Sequence, residues 1–131
     1  MAKEGLLVKA GGDINPSRFV TGNGSYTVVE ANAADQKIVG ISQEGTKVAP
    51  QTGASTLAAE DGDQLRIFTA GDICLLEMDA SGCTAWDYLK PDNDGKGDVA
   101  SSGDPVAALA LETVSGGEKA HVIVLPPFDM G

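Results

Sequence analysis

Ile38-Val39-Gly40-Ile41-Ser42, followed further on by Asp61-Gly62-Asp63-Gln64-Leu65-Arg66-Ile67-Phe68, decides how this chain is read. A short apolar segment with small residues is succeeded by a Gly-Asp step that runs into alternating apolar residues. The same succession returns in Val106-Ala107-Ala108-Leu109-Ala110-Leu111-Glu112 and Gly117-Glu118-Lys119-Ala120-His121-Val122-Ile123-Val124-Leu125. Direct identities are few, so the repeat is one of pattern. Alternation with period two marks a half-buried strand. Gly beside an acid marks a turn, because Gly accepts positive φ and a short acidic side chain hydrogen-bonds nearby backbone. The pattern therefore describes strands closed by turns. It carries no chemistry, which directs function toward binding or assembly.

Working outward, further short runs rich in β-branched residues lie between Gly, Asp, Asn and Ser clusters. They are Arg18-Phe19-Val20, Tyr26-Thr27-Val28-Val29-Glu30, Asp72-Ile73-Cys74-Leu75-Leu76-Glu77-Met78 and Cys83-Thr84-Ala85-Trp86-Asp87-Tyr88-Leu89. The expected fold is all-β, a small single-domain β-barrel or sandwich with short turns and extended terminal segments. Gly22-Asn23-Gly24-Ser25 reads as a hairpin turn. Ala54 to Glu60 has room for one or two helical turns, and Ala31 to Asp35 is too short for a stable helix. Pro105 suits either a helix start or an edge strand, and the repeat favours a strand from Val106. Asp92 to Asp98 reads as a loop. Residues 1–12 are expected to form an N-terminal arm, residues 13–125 the β-rich domain, and residues 126–131 a tail. Pro126-Pro127 cannot donate to a ladder, so the tail is expected to leave the sheet.

The chain has 131 residues, the size of one domain with an ordinary core. Aromatics make up only 5%, so the core is thin in large rings and oligomerisation is a natural supplement. Net charge is −10, from 19 acidic and 9 basic residues. Nucleic-acid binding needs clustered Lys and Arg to displace counterions, and anionic membranes repel such a chain. No nucleic-acid or membrane partner is expected. The first nine residues lack the apolar stretch of a signal peptide, which implies synthesis in a cytoplasm.

The candidate chemistry fails residue by residue. In an EF-hand register, Lys90-Pro91-Asp92-Asn93-Asp94-Gly95 places a cation at the first ligand position and Ser101 at the twelfth. His121 is the only histidine and stands inside a strand, with no triad spacing around it. Gly22 to Ser25 lacks the Lys and helix of a phosphate loop. Asp79-Ala80-Ser81-Gly82 suits a hairpin turn that would set Cys74 and Cys83 on one face but too far apart for a disulfide. The expectation is a non-enzyme with no catalytic residues, no cofactor and no metal.

The motif order Gly11-Gly12-Asp13-Ile14-Asn15-Pro16-Ser17-Arg18-Phe19-Val20, then Ile38 to Ser42, then Glu60 to Ile67 resembles the capsid decoration (cement, or head-fibre base) proteins of tailed bacteriophages. Ala70-Gly71-Asp72-Ile73, Asp87-Tyr88-Leu89-Lys90-Pro91-Asp92, Val106 to Glu112 and Val122-Ile123-Val124-Leu125 continue it over nearly the whole chain. Trp86 departs from it, standing where a glycine would precede Asp-Tyr-Leu. The resemblance implies a small β-rich protein added to the outside of an assembled head, often as trimers. Its partners would be the phage major capsid protein and its own copies as a homotrimer, on the outer capsid surface of the virion. Leu6, Leu7 and Val8 in the arm, Trp86, and Phe128 and Met130 in the tail are the candidate capsid or subunit contacts. The alternative is a non-catalytic β-sandwich ligand-binding module, for carbohydrate for example, which would want Trp86, Tyr88 and Tyr26 on one exposed face.

Overall fold

Strands β1 (Leu6–Ala10), β2 (Phe19–Gly22), β3 (Thr27–Glu30), β4 (Ile38–Ser42) and β5 (Gln64–Phe68) close into a barrel in the order β1-β3-β2-β4-β5. The structure is a computed structural model that describes residues 6–33, 37–43 and 57–129. β1 pairs parallel with β3 and antiparallel with β5, and the other barrel pairs are antiparallel. Strands β6 (Ile73–Glu77), β7 (Tyr88–Pro91), β8 (Gly97–Val99), β9 (Pro105–Ala110) and β10 (Lys119–Asp129) form a second, antiparallel sheet in the order β6-β10-β9-β7-β8. No helix occurs among the described residues. The all-β expectation holds, with a barrel and a sheet packed on it.

One turn recurs and explains why these strands start where they do. In Thr69-Ala70-Gly71-Asp72, the Asp72 N–H donates to Thr69 O (2.9 Å), and the Thr69 N–H donates back to the Asp72 carboxylate (2.9 Å). The third residue has φ +94°, the type II geometry that favours glycine. Glu60–Asp63, Thr84–Asp87, Ser101–Asp104 and Ser115–Glu118 make the same reciprocal pair of bonds. These five turns deliver the chain into β5, β6, β7, β9 and β10. The Gly-Asp step read twice in the sequence is thus a module used five times. Four copies hold Gly62, Gly71, Gly103 or Gly117 at the positive-φ position, and the fifth holds Trp86 at φ +74°.

Alternation then sorts side chains into two cores. Val8, Ala10, Ile14, Val20, Val28, Leu65 and Ile67 fill the barrel. Phe19, Ile38 and Ile41 point out of the barrel and meet Leu76, Leu89, Ala108 and Val122 of the second sheet. Ile38 and Ile41 share that face despite their odd spacing, because Val20 pairs with Gly40 while Thr21 pairs with Ile38. This β-bulge inserts one residue and resets the alternation. Arg18 ties the two layers electrostatically, lying 3.7 Å from Glu30 of the barrel and 3.4 Å from Glu77 of the sheet. Its guanidinium also donates to Asp94 O at 2.9 Å, and the Phe19 N–H donates to Gly95 O.

Several expectations are corrected. The N-terminal segment is not a separable arm, since Leu6–Ala10 is a barrel strand and Val8, at 5% exposure, is core rather than a contact. Three successive apolar residues hid its alternation. The tail does not leave the sheet: β10 runs on through the prolines, and after a register shift Phe128 pairs with Val106 and Asp129 with Pro105. Cys74 and Cys83 do not share a hairpin, because β6 pairs with β10 and Cys83 bridges to Val114. Both thiols are buried and neither is in a disulfide. The strand expected from Cys83 begins only at Tyr88, and the loop expected over Asp92 to Asp98 runs into β8. Of Ala54 to Glu60, residues 54–56 lie outside the described residues and residues 57–60 are not helical.

Candidate functional site

Antiparallel sheets packed on one side present polar residues on the other. The second sheet departs from this. Cross-strand pairing aligns Ile73 with Ile123, Ile123 with Leu109, and Leu109 with Tyr88. Their neighbours Cys74, Val122 and Ala110 point into the core, so the row of four lies on the outer face. With strands about 4.8 Å apart, the row spans roughly 15 Å of sheet. Ile73 is 60% exposed. The Tyr88 ring meets the Phe128 ring edge to face, with centroids 5.5 Å apart. Trp86, 67% exposed, precedes Tyr88 in the turn, its N–H bonded to Ala110 O.

The conformation of Trp86 is strained. A left-handed conformation costs a residue with a Cβ about 1–2 kcal/mol. Four sister turns avoid that cost with glycine. Strain kept in one turn of five, under an exposed indole, is a local departure of the kind that accompanies function.

Carboxylates bracket this apolar band at both strand ends. Asp87 and Glu112 stand at the Trp86 end, Asp104 and Asp129 at the Phe128 end. Lys90 lies 2.8 Å from Asp104, a bond that raises the lysine and lowers the carboxyl. Glu112 accepts from the His121 backbone N–H (2.7 Å) and lies 2.6 Å from its Nδ1, which holds the carboxyl below its usual range. His121 is therefore an exposed strand residue paired with one acid. Burial pushes the Cys83 thiol up, with Asp87 and Glu112 adding to the effect.

A second apolar feature is the mouth of the barrel, a hollow of about 330 Å³ to which all five barrel strands contribute. Leu6, Val8, Val28, Val39 and Ile67 line it, and Tyr26 stands at its rim, 79% exposed. Of the candidate contacts, Leu6 and Leu7 are exposed on β1, Val8 is buried, and Met130 lies outside the described residues. Phe128 meets Tyr88 of the outer-face row, and Trp86 stands exposed in the turn two residues before Tyr88. Tyr26 is on the other sheet, so the three aromatics a sugar platform would want are divided. Ile73, Leu109 and Ile123 were missed as surface residues. Their alternation was legible, but which face met the barrel was not.

In the loop between β7 and β8, an acid serves the backbone. Asp92 Oδ1 accepts from the N–H groups of Asp94 and Lys96 at 2.8 and 2.9 Å. Among the described residues no three His, Cys, Asp or Glu side chains converge as a metal site would require.

No protein-family model matches the chain, and no curated protein matches it. Its fold does match a solved structure, the N-terminal base of the head fibre protein gp8.5 of bacteriophage phi29, with a TM-score of 0.53 over 91% of each chain. Sequence identity is 15%, so the likeness is one of fold: this chain has the architecture of a phage head-fibre base.

Proposed function

We propose that this protein is a non-catalytic structural component of a phage virion that binds the outer surface of the assembled head as a homotrimer and reinforces it. The observation that carries this reading is the fold likeness to a head-fibre base along nearly the full length of both chains. The sequence-level resemblance to capsid decoration proteins points the same way. The chemistry is compatible: many acidic side chains close turns or sit in ion pairs, and Ile73, Tyr88 and Phe128 leave exposed apolar surface on the second sheet. A thin core of small residues also favours partners that add burial. The test is co-sedimentation of the purified protein with expanded heads that lack it, together with sedimentation equilibrium of the protein alone. The expected result is saturable pelleting with heads and a mass three times that of the chain. Absence of pelleting with expanded and unexpanded heads alike would refute the head-binding reading, and a monomeric mass would refute the trimer.

A further inference from the structure

We propose that the outer face of the second sheet, centred on Trp86 and Tyr88, is the docking surface, and that its partner is a protein surface with an apolar centre and a rim of Lys and Arg. This rests on the head-binding reading and specifies which face meets the shell and what chemistry it meets there. Three independent observations support it.

The row Ile73–Ile123–Leu109–Tyr88 breaks the polar-outward rule across four strands of one sheet. Trp86 occupies a positive-φ position that the same turn fills with glycine four times elsewhere in the chain. An indole held there at 67% exposure contributes nothing to the core, and Trp is the residue most enriched where binding energy concentrates.

Charge selects the occupant. Asp87 and Glu112 flank the apolar band at one end, Asp104 and Asp129 at the other. Two cations of this sheet sit against acids: Lys90 lies 2.8 Å from Asp104 and Lys96 lies 3.6 Å from Glu77. A second copy docked face to face would set carboxylates against carboxylates in a chain of net charge −10. A basic-rimmed partner is complementary.

The test uses Trp86→Gly and, as a control on the other sheet, Tyr26→Ser at the barrel mouth. The probe is purified expanded heads lacking the protein, titrated by co-sedimentation at about 0.05 M and about 0.5 M NaCl. Trp86→Gly relieves backbone strain, so it should melt at the wild-type temperature or higher while binding heads at least about tenfold more weakly. Tyr26→Ser should bind as wild type, and higher salt should weaken wild-type binding. Undiminished binding by Trp86→Gly would overturn this face while leaving the head-binding reading intact. Binding that strengthens with salt would overturn the basic rim. Loss of the oligomer in Trp86→Gly, with head binding retained, would assign the face to a second copy instead. Failure of the wild-type protein to bind heads would remove the functional reading itself.

Discussion

The barrel and the second sheet solve the same problem differently. The barrel closes on itself, so its strands have no unpaired edges, and its apolar residues fill the interior or, as Phe19, Ile38 and Ile41 do, meet the second sheet. The second sheet buries one face against the barrel and leaves an apolar band on the other. The contrast teaches where to look for function: the barrel hides most of its apolar side chains inside or against the sheet, whereas the sheet carries a continuous apolar row across four strands on its outer face. Strand β1 shows how alternation sorts a barrel strand, since Val8 points into the barrel and Leu7 into solvent.

The largest expected effect comes from charging the barrel interior. Val8→Asp places an unpaired carboxylate among Leu65, Ile67 and Val28, and should destabilise by about 4 kcal/mol or more, enough to unfold much of the population. Leu7→Asp, one residue away, should stay within about 0.5 kcal/mol. Equal losses in urea denaturation would mean that β1 is not a barrel strand. Next is Gly40→Ala. A Cβ at Gly40 would lie 2.2 Å from Phe68 O on the neighbouring strand, so β4 and β5 must part, at about 2–4 kcal/mol. Wild-type stability in this variant would contradict the close β4–β5 approach.

Arg18→Met tests the tie between the layers. It leaves Glu30 and Glu77 without their shared cation and should destabilise by about 1–3 kcal/mol, with the barrel and sheet losing cooperativity in calorimetry. An unchanged, single transition would show that packing through Phe19 and Ile41 holds the layers without help. Trp86→Gly should move the other way, gaining about 1 kcal/mol as the left-handed strain is released. A loss of stability would show that the indole contributes to folding and weaken the case for a docking role.

The smallest effect is a pH dependence. Burial, then the hydrogen bond and charge of Asp79, raise the Asp98 carboxyl above its usual range. The folded chain holds that proton more tightly than the unfolded chain. The resulting stability is fully present below the unfolded pKa and is lost as pH rises through the folded pKa. Asp104 and Glu112, both held low, work in the opposite sense and lose their contribution as pH falls. Asp98→Asn should therefore remove a decline in melting temperature on going from acidic toward neutral pH. A pH profile superimposable on that of the wild type would exclude the Asp79–Asp98 pair as its source.

How much of this was legible follows from what each signal depends on. Strands β2 to β6, β9 and β10 show in the sequence because their alternation and flanking turns are local. β1 was hidden, since Leu6-Leu7-Val8 reads as an apolar run until β3 and β5 supply the two sides. β8 is hidden because Gly97 and Asp98 are poor strand formers and the three-residue strand exists by pairing with β7. The Cys74–Cys83 hairpin was wrong for a related reason. A good turn at Asp79–Gly82 does not determine partners, and β10 outcompetes the adjacent segment for β6. Trp86 stands where the glycine pattern of the other turns breaks, and φ +74° gives that departure a physical meaning. The outer-face row could not be read, because choosing the buried face of a sheet requires knowing what packs on it.

The central claim is that this fold works from the outside of a phage shell. The most direct measurement is electron cryomicroscopy of virions with and without the protein, with a difference map between the two. The account predicts added density on the outer shell surface, shaped as a barrel and a sheet, with the Trp86 face turned toward the shell. Difference density confined to the shell interior or the tail, or none at all, would contradict it.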